Sequence, residues 1–241
     1  GDLGRWEKSN HSLPQKWPLN YKGLKFFSRF TTFKHMGFFP EQAPYWDLIT
    51  TALQQPRPEK RVLNLFGYSG VASLAAAAAG ATEIVHVDAS RNAINWAQDN
   101  QKLAGLQDKK IRYILEDARK FIQREYRRGR KYDGIIADPP AFGRGPGGEI
   151  WKLEDSLEEL ITDCVNIMSG KTLFFILTTY AIRASTLTIK NILDDKLKSF
   201  GGHTQAAELA LEEKSRGRIL STSISAYWTP CLHPHEFRTL R

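Results

Sequence analysis

The sequence is poor in cysteine: Cys164 and Cys231 are the two in 241 residues. That number excludes a disulfide scaffold and a thiolate metal cluster, and it predicts a reducing, cytoplasmic setting. Long apolar runs are also missing. The longest candidate, Val71 to Ala81, is alanine-rich and falls well short of the ~20 residues that span a bilayer. It reads as a packed helix, and no membrane partner is expected. No signal peptide is visible. The chain starts at Gly1 rather than methionine, which leaves upstream sequence open. His35, His203, His233 and His235 have no companions at metal-ligand spacing. His233-Pro234-His235 offers two imidazoles without a third ligand, so the stretch reads as a surface tail and no metal is expected. No internal repeat of fixed period is present.

Hydrophobic residues make up 41% of the chain, enough for a core in one large domain or one domain with an appendage. Lysine and arginine total 34 against 26 acids, a net charge of +8. The excess is uneven. Between Arg119 and Lys131 stand Arg119, Lys120, Arg124, Arg127, Arg128, Arg130 and Lys131, with Glu125 as the acid among them. The run reads either as a phosphate-binding face, since such side chains displace counterions from nucleic acid, or as the solvated face of a helix. The global charge keeps nucleic acid in play.

Residues 1–45 are rich in aromatic, basic and proline residues without clean periodicity. They are read as an N-terminal extension with short strands around Leu24–Phe33. From Trp46 the pattern becomes regular: a helix over Trp46–Gln54, ended by Pro56-Arg57-Pro58, then alternating strands and helices. Strands are predicted at Arg61–Phe66, Glu83–Asp88, Ile111–Leu115, Tyr132–Ala137 and Thr172–Thr178. Helices are predicted at Gly70–Ala79, closed by Gly80, at Arg91–Leu103 with Ser90 as N-cap, and at Ala118–Arg128, Leu153–Met168 and Thr186–Phe200. A glycine-rich loop, Gly143 to Gly148, interrupts the series and is read as a mobile lid, with Arg144 toward phosphate and Glu149 and Trp151 fixing its end. Glu208–Glu213 and Ile219–Trp228 have no helix between them and should pair as an antiparallel hairpin. The expected fold is α/β: a doubly wound, mostly parallel seven-stranded sheet with an antiparallel last strand. The domain is expected over 46–230, with 231–241 as a tail.

The chemistry gathers at the strand ends. In open α/β sheets, ligands bind at the carboxyl edge. Asp138-Pro139-Pro140 follows an apolar strand. The prolines fix φ and give up their N–H groups, which suits a rigid loop that holds carbonyls toward an amine or ring nitrogen; a plain proline turn is the other reading. Asn64-Leu65-Phe66-Gly67-Tyr68-Ser69-Gly70 is a strand, a glycine turn and a helix start, where a ligand approaches backbone and free N–H groups. It lacks the full G-x-G-x-x-G of dinucleotide binders, which counts against an NAD-dependent oxidoreductase. Asp88 ends the second strand, where it accepts from ribose hydroxyls or caps the next helix. Asp117, beside Glu116, ends the third and either accepts from an adenine amino group or caps its helix. Four such strand ends in order, Gly67/Gly70, Asp88, Asp117 and Asp138, are far more specific than any one.

From about Trp46 to Trp228 the chain resembles a class I S-adenosylmethionine-dependent methyltransferase. The resemblance implies S-adenosylmethionine as cofactor, with Asp88 on the ribose, Asp117 on the adenine and Asp138-Pro139-Pro140 at the acceptor. A narrower resemblance is to bacterial large-subunit ribosomal RNA methyltransferases of the cytosine-C5 and guanine-N7 type. It is carried by Gly37-Phe38-Phe39-Pro40-Glu41-Gln42, by Asn64 to Gly70, and by Asp138-Pro139-Pro140-Ala141-Phe142. It implies that Phe39 and Gln42 fold back over the donor. The donor site is then expected to comprise Phe39, Gln42, Asn64, Phe66, Gly67, Tyr68, Gly70, Asp88, Ala89, Asp117, Ala118 and Asp138. The catalytic group is expected to be Asp138, Pro139, Pro140 and Phe142, with Phe142 either stacking on a base or packing under the loop.

The cytosine-C5 enzymes need a cysteine nucleophile. Where the resemblance puts it, after the fifth strand, this chain reads Thr178-Thr179-Tyr180. The N-terminal RNA-binding domains usual in that group do not appear in this chain either. Expected chemistry is therefore methylation of a base nitrogen in RNA, ribosomal RNA favoured. A protein or small-molecule methyltransferase and a non-catalytic S-adenosylmethionine-binding module stand as alternatives.

Overall fold

The computed structural model describes residues 6–7, 12–32 and 35–231. His233-Pro234-His235, most of the expected tail and the end of the segment read as strands at Leu24–Phe33 lie outside the described residues. The chain runs β1 (Trp17–Tyr21), β2 (Leu24–Ser28), α1 (Ala43–Leu53), β3 (Arg61–Leu65), α2 (Val71–Ala78), β4 (Glu83–Asp88), α3 (Arg91–Leu103), β5 (Ile111–Leu115), α4 (Ala118–Arg127), β6 (Gly134–Ala137), β7 (Phe142–Arg144), β8 (Ile150–Lys152), α5 (Leu153–Asn166), β9 (Phe174–Thr179), α6 (Thr186–Leu197), β10 (His203–Glu212) and β11 (Ile219–Thr229).

Short apolar runs that carry no alternation belong in the middle of a parallel sheet, covered on both faces. β3, β6 and β9 behave that way, and β6 and β9 are buried at every position. The seven-stranded sheet has the order β10-β11-β9-β6-β3-β4-β5. β3 pairs in parallel with β4 on one side and β6 on the other, and β11 lies antiparallel to β9. The chain thus winds outward from β3 to β5 and then restarts on the other side of β3. That reversal opens a crevice at the carboxyl ends of β3 and β6. One core lies beneath α4, α5 and α6 and includes Phe121, Leu160 and Phe175. Another lies beneath α1 and α2, around Ile49, Leu53 and Phe174.

Several boundaries differ from expectation. α1 begins three residues early, at Ala43, because Pro44 falls in its first turn, where a missing N–H costs nothing. Residues 132–133 are not in β6; Tyr132 makes an isolated bridge to Met168. The segment after α6 tightens into a 3-10 turn, Lys198–Phe200. β10 starts five residues early, at His203. The glycine-rich segment 143–148 is not an open loop. It forms the turn of a hairpin in which β7 and β8 pair antiparallel. Gly145 N–H donates to the Glu149 carbonyl at 2.9 Å, and Gly147 N–H to the Glu149 carboxylate at 2.9 Å.

The N-terminal residues form a hairpin of β1 and β2 that packs against the domain. Phe26 and Trp46 meet edge to face at 6.0 Å and share a cluster with Val71 and Ala75. Asn100 in α3 joins the layers: its Oδ1 accepts Phe27 N–H at 2.8 Å and its Nδ2 donates to the Ser69 carbonyl at 2.8 Å.

Candidate active site

A cavity of about 310 Å³ opens at the carboxyl ends of β3, β4, β5 and β6. Of the residues expected at a donor site, Phe39, Phe66, Tyr68, Asp88, Ala89, Asp117, Ala118 and Asp138 line it, and so does Pro140. A smaller recess beside it is lined by Gln42, Asn64 and Gly67, with Phe39, Phe66, Tyr68 and Asp138 shared between the two. Gly70, Pro139 and Phe142 line neither. Gly70 shapes the turn from behind: with φ +85° it caps α2, and its N–H donates to the Gly67 carbonyl at 2.9 Å. Phe142 stands exposed on the hairpin, so packing under the loop is not its place.

The turn after β3 is strained. Phe66 and Tyr68 hold φ of 56° and 46°, a left-handed conformation that side chains other than glycine seldom adopt. Two contacts hold it: Gly67 N–H donates to the Val87 carbonyl at 3.1 Å, and Tyr68 N–H donates to Asp88 Oδ2 at 2.9 Å. Between the two strained residues, Gly67 passes over the buried His86. A Cβ on Gly67 would lie 2.4 Å from the imidazole. The glycine thus lets the backbone run between the ring and the recess.

Asp88 has a dual place. Oδ2 holds the turn and Oδ1 accepts Ser90 N–H at 2.8 Å, while the carboxylate lines the cavity. Burial raises its pKa above the usual carboxylate range. Asp117 is both helix cap and lining: Oδ1 accepts Lys120 N–H at 3.0 Å. Asp117 thus caps α4 as one reading of the sequence had it, whereas Asp88 does not cap α3, whose N-cap is Ser90. Glu116, next to Asp117, also lines the cavity and is paired with Arg124.

Asp138 is the most perturbed carboxylate of the site. Burial drives its pKa up to about 7, with the nearby Glu41 charge adding to the rise and the hydrogen bond from Gln42 opposing it. Gln42 Nε2 donates to Asp138 Oδ2 at 2.8 Å and to the Tyr180 hydroxyl at 3.1 Å, and that hydroxyl donates to Glu41 Oε1 at 3.3 Å. Asp138 Oδ1 is buried and has no protein partner. A buried acceptor without a donor is costly. A ligand that brings an N–H or a positive charge would relieve it.

Sequence reasoning missed His35, Glu41, Trp151 as a cavity wall, and Tyr180 as part of the network. Trp151 donates Nε1–H to the Pro140 carbonyl at 2.6 Å, so that carbonyl is already taken. Tyr180 packs on Phe39 with ring centroids 5.4 Å apart. No pattern marks such residues, because they meet through tertiary contacts; the one available signal was that Tyr180 directly follows β9, a strand the sequence predicts, which pairs with β6. Cys164 is fully buried in the core and burial pushes its thiol pKa up, and Cys231 is exposed. Among the described residues no group of three or more His, Cys, Asp or Glu is arranged for a metal, and no helix is long and apolar enough to cross a membrane.

A family model described as S-adenosylmethionine-dependent methyltransferase matches residues 9–188. The crystal structure of a SAM-dependent methyltransferase from Agrobacterium tumefaciens is 48% identical, with a TM-score of 0.91 over 95% of this chain and 75% of that one. The chain is 35% identical over 148 residues to ribosomal RNA large subunit methyltransferase K/L of Shewanella baltica, covering 61% of this chain and 19% of that protein. It therefore spans about a fifth of the length of such relatives. The structure of SMU.776 complexed with SAH is 19% identical, with a TM-score of 0.68 over 92% of this chain and 58% of that one, and shares the fold.

Proposed function

Because the chain belongs to the S-adenosylmethionine-dependent methyltransferase family, we propose that it methylates a nitrogen of an RNA base, with ribosomal RNA as the favoured acceptor. The observation that carries this reading is the buried, unpartnered Oδ1 of Asp138 at the cavity. It suits an acceptor that presents an N–H. The ribosomal RNA methyltransferases among the relatives support the substrate class. The absence of a cysteine at Tyr180, with Cys164 sealed in the core, favours nitrogen over cytosine C5.

The residues present suit the donor. Asp88 offers its carboxylate to the ribose hydroxyls, and Asp117 to the adenine amino group. Gly67, with no side chain, admits the donor close to the backbone. Phe39, Phe66 and Tyr68 supply apolar walls that exclude water. S-adenosylmethionine supplies a methyl group already activated on a sulfonium, so the protein's task is alignment, with reacting atoms about 3 to 3.5 Å apart. Asp138 Oδ1 orients the acceptor by accepting its N–H and takes up the proton the nitrogen releases. With a pKa about 7, Asp138 is poised to hold that proton near neutrality. A base inside a duplex must be flipped out or already unpaired to reach this depth. The cytoplasm, where ribosomal RNA is found, is the proposed setting.

The test is transfer of a labelled methyl group from S-adenosylmethionine to unmodified ribosomal RNA, with total cell protein as a parallel acceptor. Label in RNA supports the reading and allows the base to be mapped. Label in protein alone overturns it.

A further inference from the structure

Sheet geometry decides which residues of the β7–β8 hairpin share a face. Opposed residues of an antiparallel pair point the same way, and every second residue along a strand returns to that face. The register sets Phe142 against Lys152, Gly143 against Trp151 and Arg144 against Ile150. Gly143 and Trp151 take the inner face. Trp151 is buried against Phe66, with ring centroids 5.2 Å apart. Phe142, Arg144, Ile150 and Lys152 therefore share the outer face, and all four are exposed. Phe142 is 56% and Ile150 62% accessible.

A lone exposed apolar residue needs no explanation. Here two of them alternate diagonally with two cations on a paired ribbon. The ribbon's own acid does not cancel that charge, because Glu149 is paired with Lys120. Lys152 has Asp155 only at 3.9 Å. The face is also continuous with the active site. Gly143, Arg144 and Gly145 line the donor cavity, while Lys152 lines an adjoining cleft of about 450 Å³ with Ala141, Ala181 and Arg183. Ala141 and Ala181 of this cleft directly follow Pro140 and Tyr180 of the first cavity in the chain.

We propose that the outer face of this hairpin is the docking platform for the single-stranded RNA segment that carries the acceptor base. Phe142 stacks on a base beside it, Ile150 widens the apolar contact, and Arg144 and Lys152 meet the flanking phosphates. Aromatic faces bind unstacked bases whatever their sequence, and the cations follow the backbone. The inference rests on the RNA reading above.

The test measures binding of a short, fluorescein-labelled single-stranded RNA across a salt series, with S-adenosylmethionine affinity determined by calorimetry in parallel. Phe142→Ala should weaken RNA binding about fivefold or more, and Phe142→Tyr should restore it. Arg144→Gln with Lys152→Gln should reduce the slope of log K against log salt by about 1.4, near 0.7 per lost phosphate contact. Donor affinity should not change in Phe142→Ala or in Lys152→Gln alone, since neither side chain lines the donor cavity. If the parent binds and methylates RNA while the double variant keeps the parent's salt slope and Phe142→Ala its affinity, the platform is elsewhere and the proposal fails alone. If the parent methylates protein and not RNA, the RNA reading fails and the platform assignment with it.

Discussion

Gln42 and Asp138 lie 96 positions apart in sequence and meet through a 2.8 Å hydrogen bond where the recess adjoins the cavity. Gln42 comes from the 3-10 turn before α1, and Asp138 from the end of β6. The bond occupies Oδ2 and leaves Oδ1 as the open acceptor. The 3-10 turn before α1 therefore helps to set the orientation and the proton affinity of the Asp138 carboxylate.

Asp138→Asn should abolish methyl transfer, spare S-adenosylmethionine binding and raise stability at neutral and alkaline pH. The folded-state pKa is raised from 3.8 to about 7. A raised pKa contributes stability that is present below the unfolded value and lost as pH climbs through the folded one. The variant should thus match the parent near pH 4 and gain on it up to about pH 7, with a constant advantage beyond. Thermal unfolding across that range, together with calorimetric donor titrations, checks both halves. A variant that is inactive but no more stable at pH 8 than the parent would refute the burial argument.

Two neighbours of Asp138 should move its titration in opposite directions. Gln42→Leu removes the donor that holds the pKa down, so the acidic limb of kcat should shift to higher pH. Glu41→Gln removes a nearby negative charge but keeps an acceptor for Tyr180, so the limb should shift lower. The other groups facing this part of the cavity are the Tyr180 hydroxyl and, across it, His35, Asp88 and Arg144. Carbon-13 NMR of labelled aspartate, with the Asp138 signal assigned from the asparagine variant, follows the same midpoint without any acceptor. A shift of both variants in one direction would mean that another group titrates.

The order of strands and helices was legible because the apolar runs are short, those of β3, β6 and β9 are covered on both faces, and the runs are punctuated by glycine, proline or a capping residue. Ser90 and Asp117 cap α3 and α4 through their side chains, as such residues do before a helical pattern. The acids of the strand ends were legible for the same reason: topology puts the ends of β3 to β6 side by side, so their sequence order maps onto one edge. Contacts that cross the sequence were not legible. Asn100 sits inside an ordinary amphipathic helix, yet it ties β2 to the glycine turn. The β7–β8 hairpin was hidden by its glycines, which read as open loop; its pairing is completed by Trp151 and Glu149 from the far side of the turn. The basic run of α4 turned out to be largely engaged: Arg119 with Glu159 and Asp163, Lys120 with Glu149, Arg124 with Glu116 and Arg128 with Glu125. The pairs with Glu149, Glu159 and Asp163, acids distant in sequence, were invisible from the run itself.

Gly67→Ala should cost about 1–3 kcal/mol of stability, the usual penalty for forcing a methyl into a filled site, and should weaken donor binding. The clash is specific, since the new Cβ would meet the His86 ring at 2.4 Å. His86 is fully buried, hydrogen-bonded to Ser73 Oγ at 3.0 Å through Nδ1, and kept neutral by burial with its pKa pushed down to about 3. Removing the ring should remove the conflict. In a His86→Ala background, Gly67→Ala should cost little more, a coupling that urea midpoints of the four proteins would reveal. Additive costs would show that the methyl is rejected by something other than His86.

The last prediction concerns the hold of the hairpin on the donor. β7 and β8 are tied at their base by the bond from Trp151 Nε1 to the Pro140 carbonyl and near their tip by the Lys120–Glu149 pair. Lys120 belongs to the first turn of α4, which starts at the Asp117 cap on the cavity wall. The pair thus bridges the cavity mouth, and its loss should free the hairpin tip without disturbing the base. Lys120→Met is the suitable change, because Glu149 also accepts from Gly147 and shapes the turn. An exposed ion pair contributes little, so the dissociation rate of S-adenosylhomocysteine should rise only about two- to fivefold at low salt. Screening acts on the parent and not on the variant, so the two rates should converge as salt increases. Stopped-flow fluorescence of Trp151, which lines the cavity, follows the release directly. Equal rates for parent and variant at low salt would show that the tip makes no contribution to retaining the donor and that the tie at Trp151 alone sets the hairpin's position.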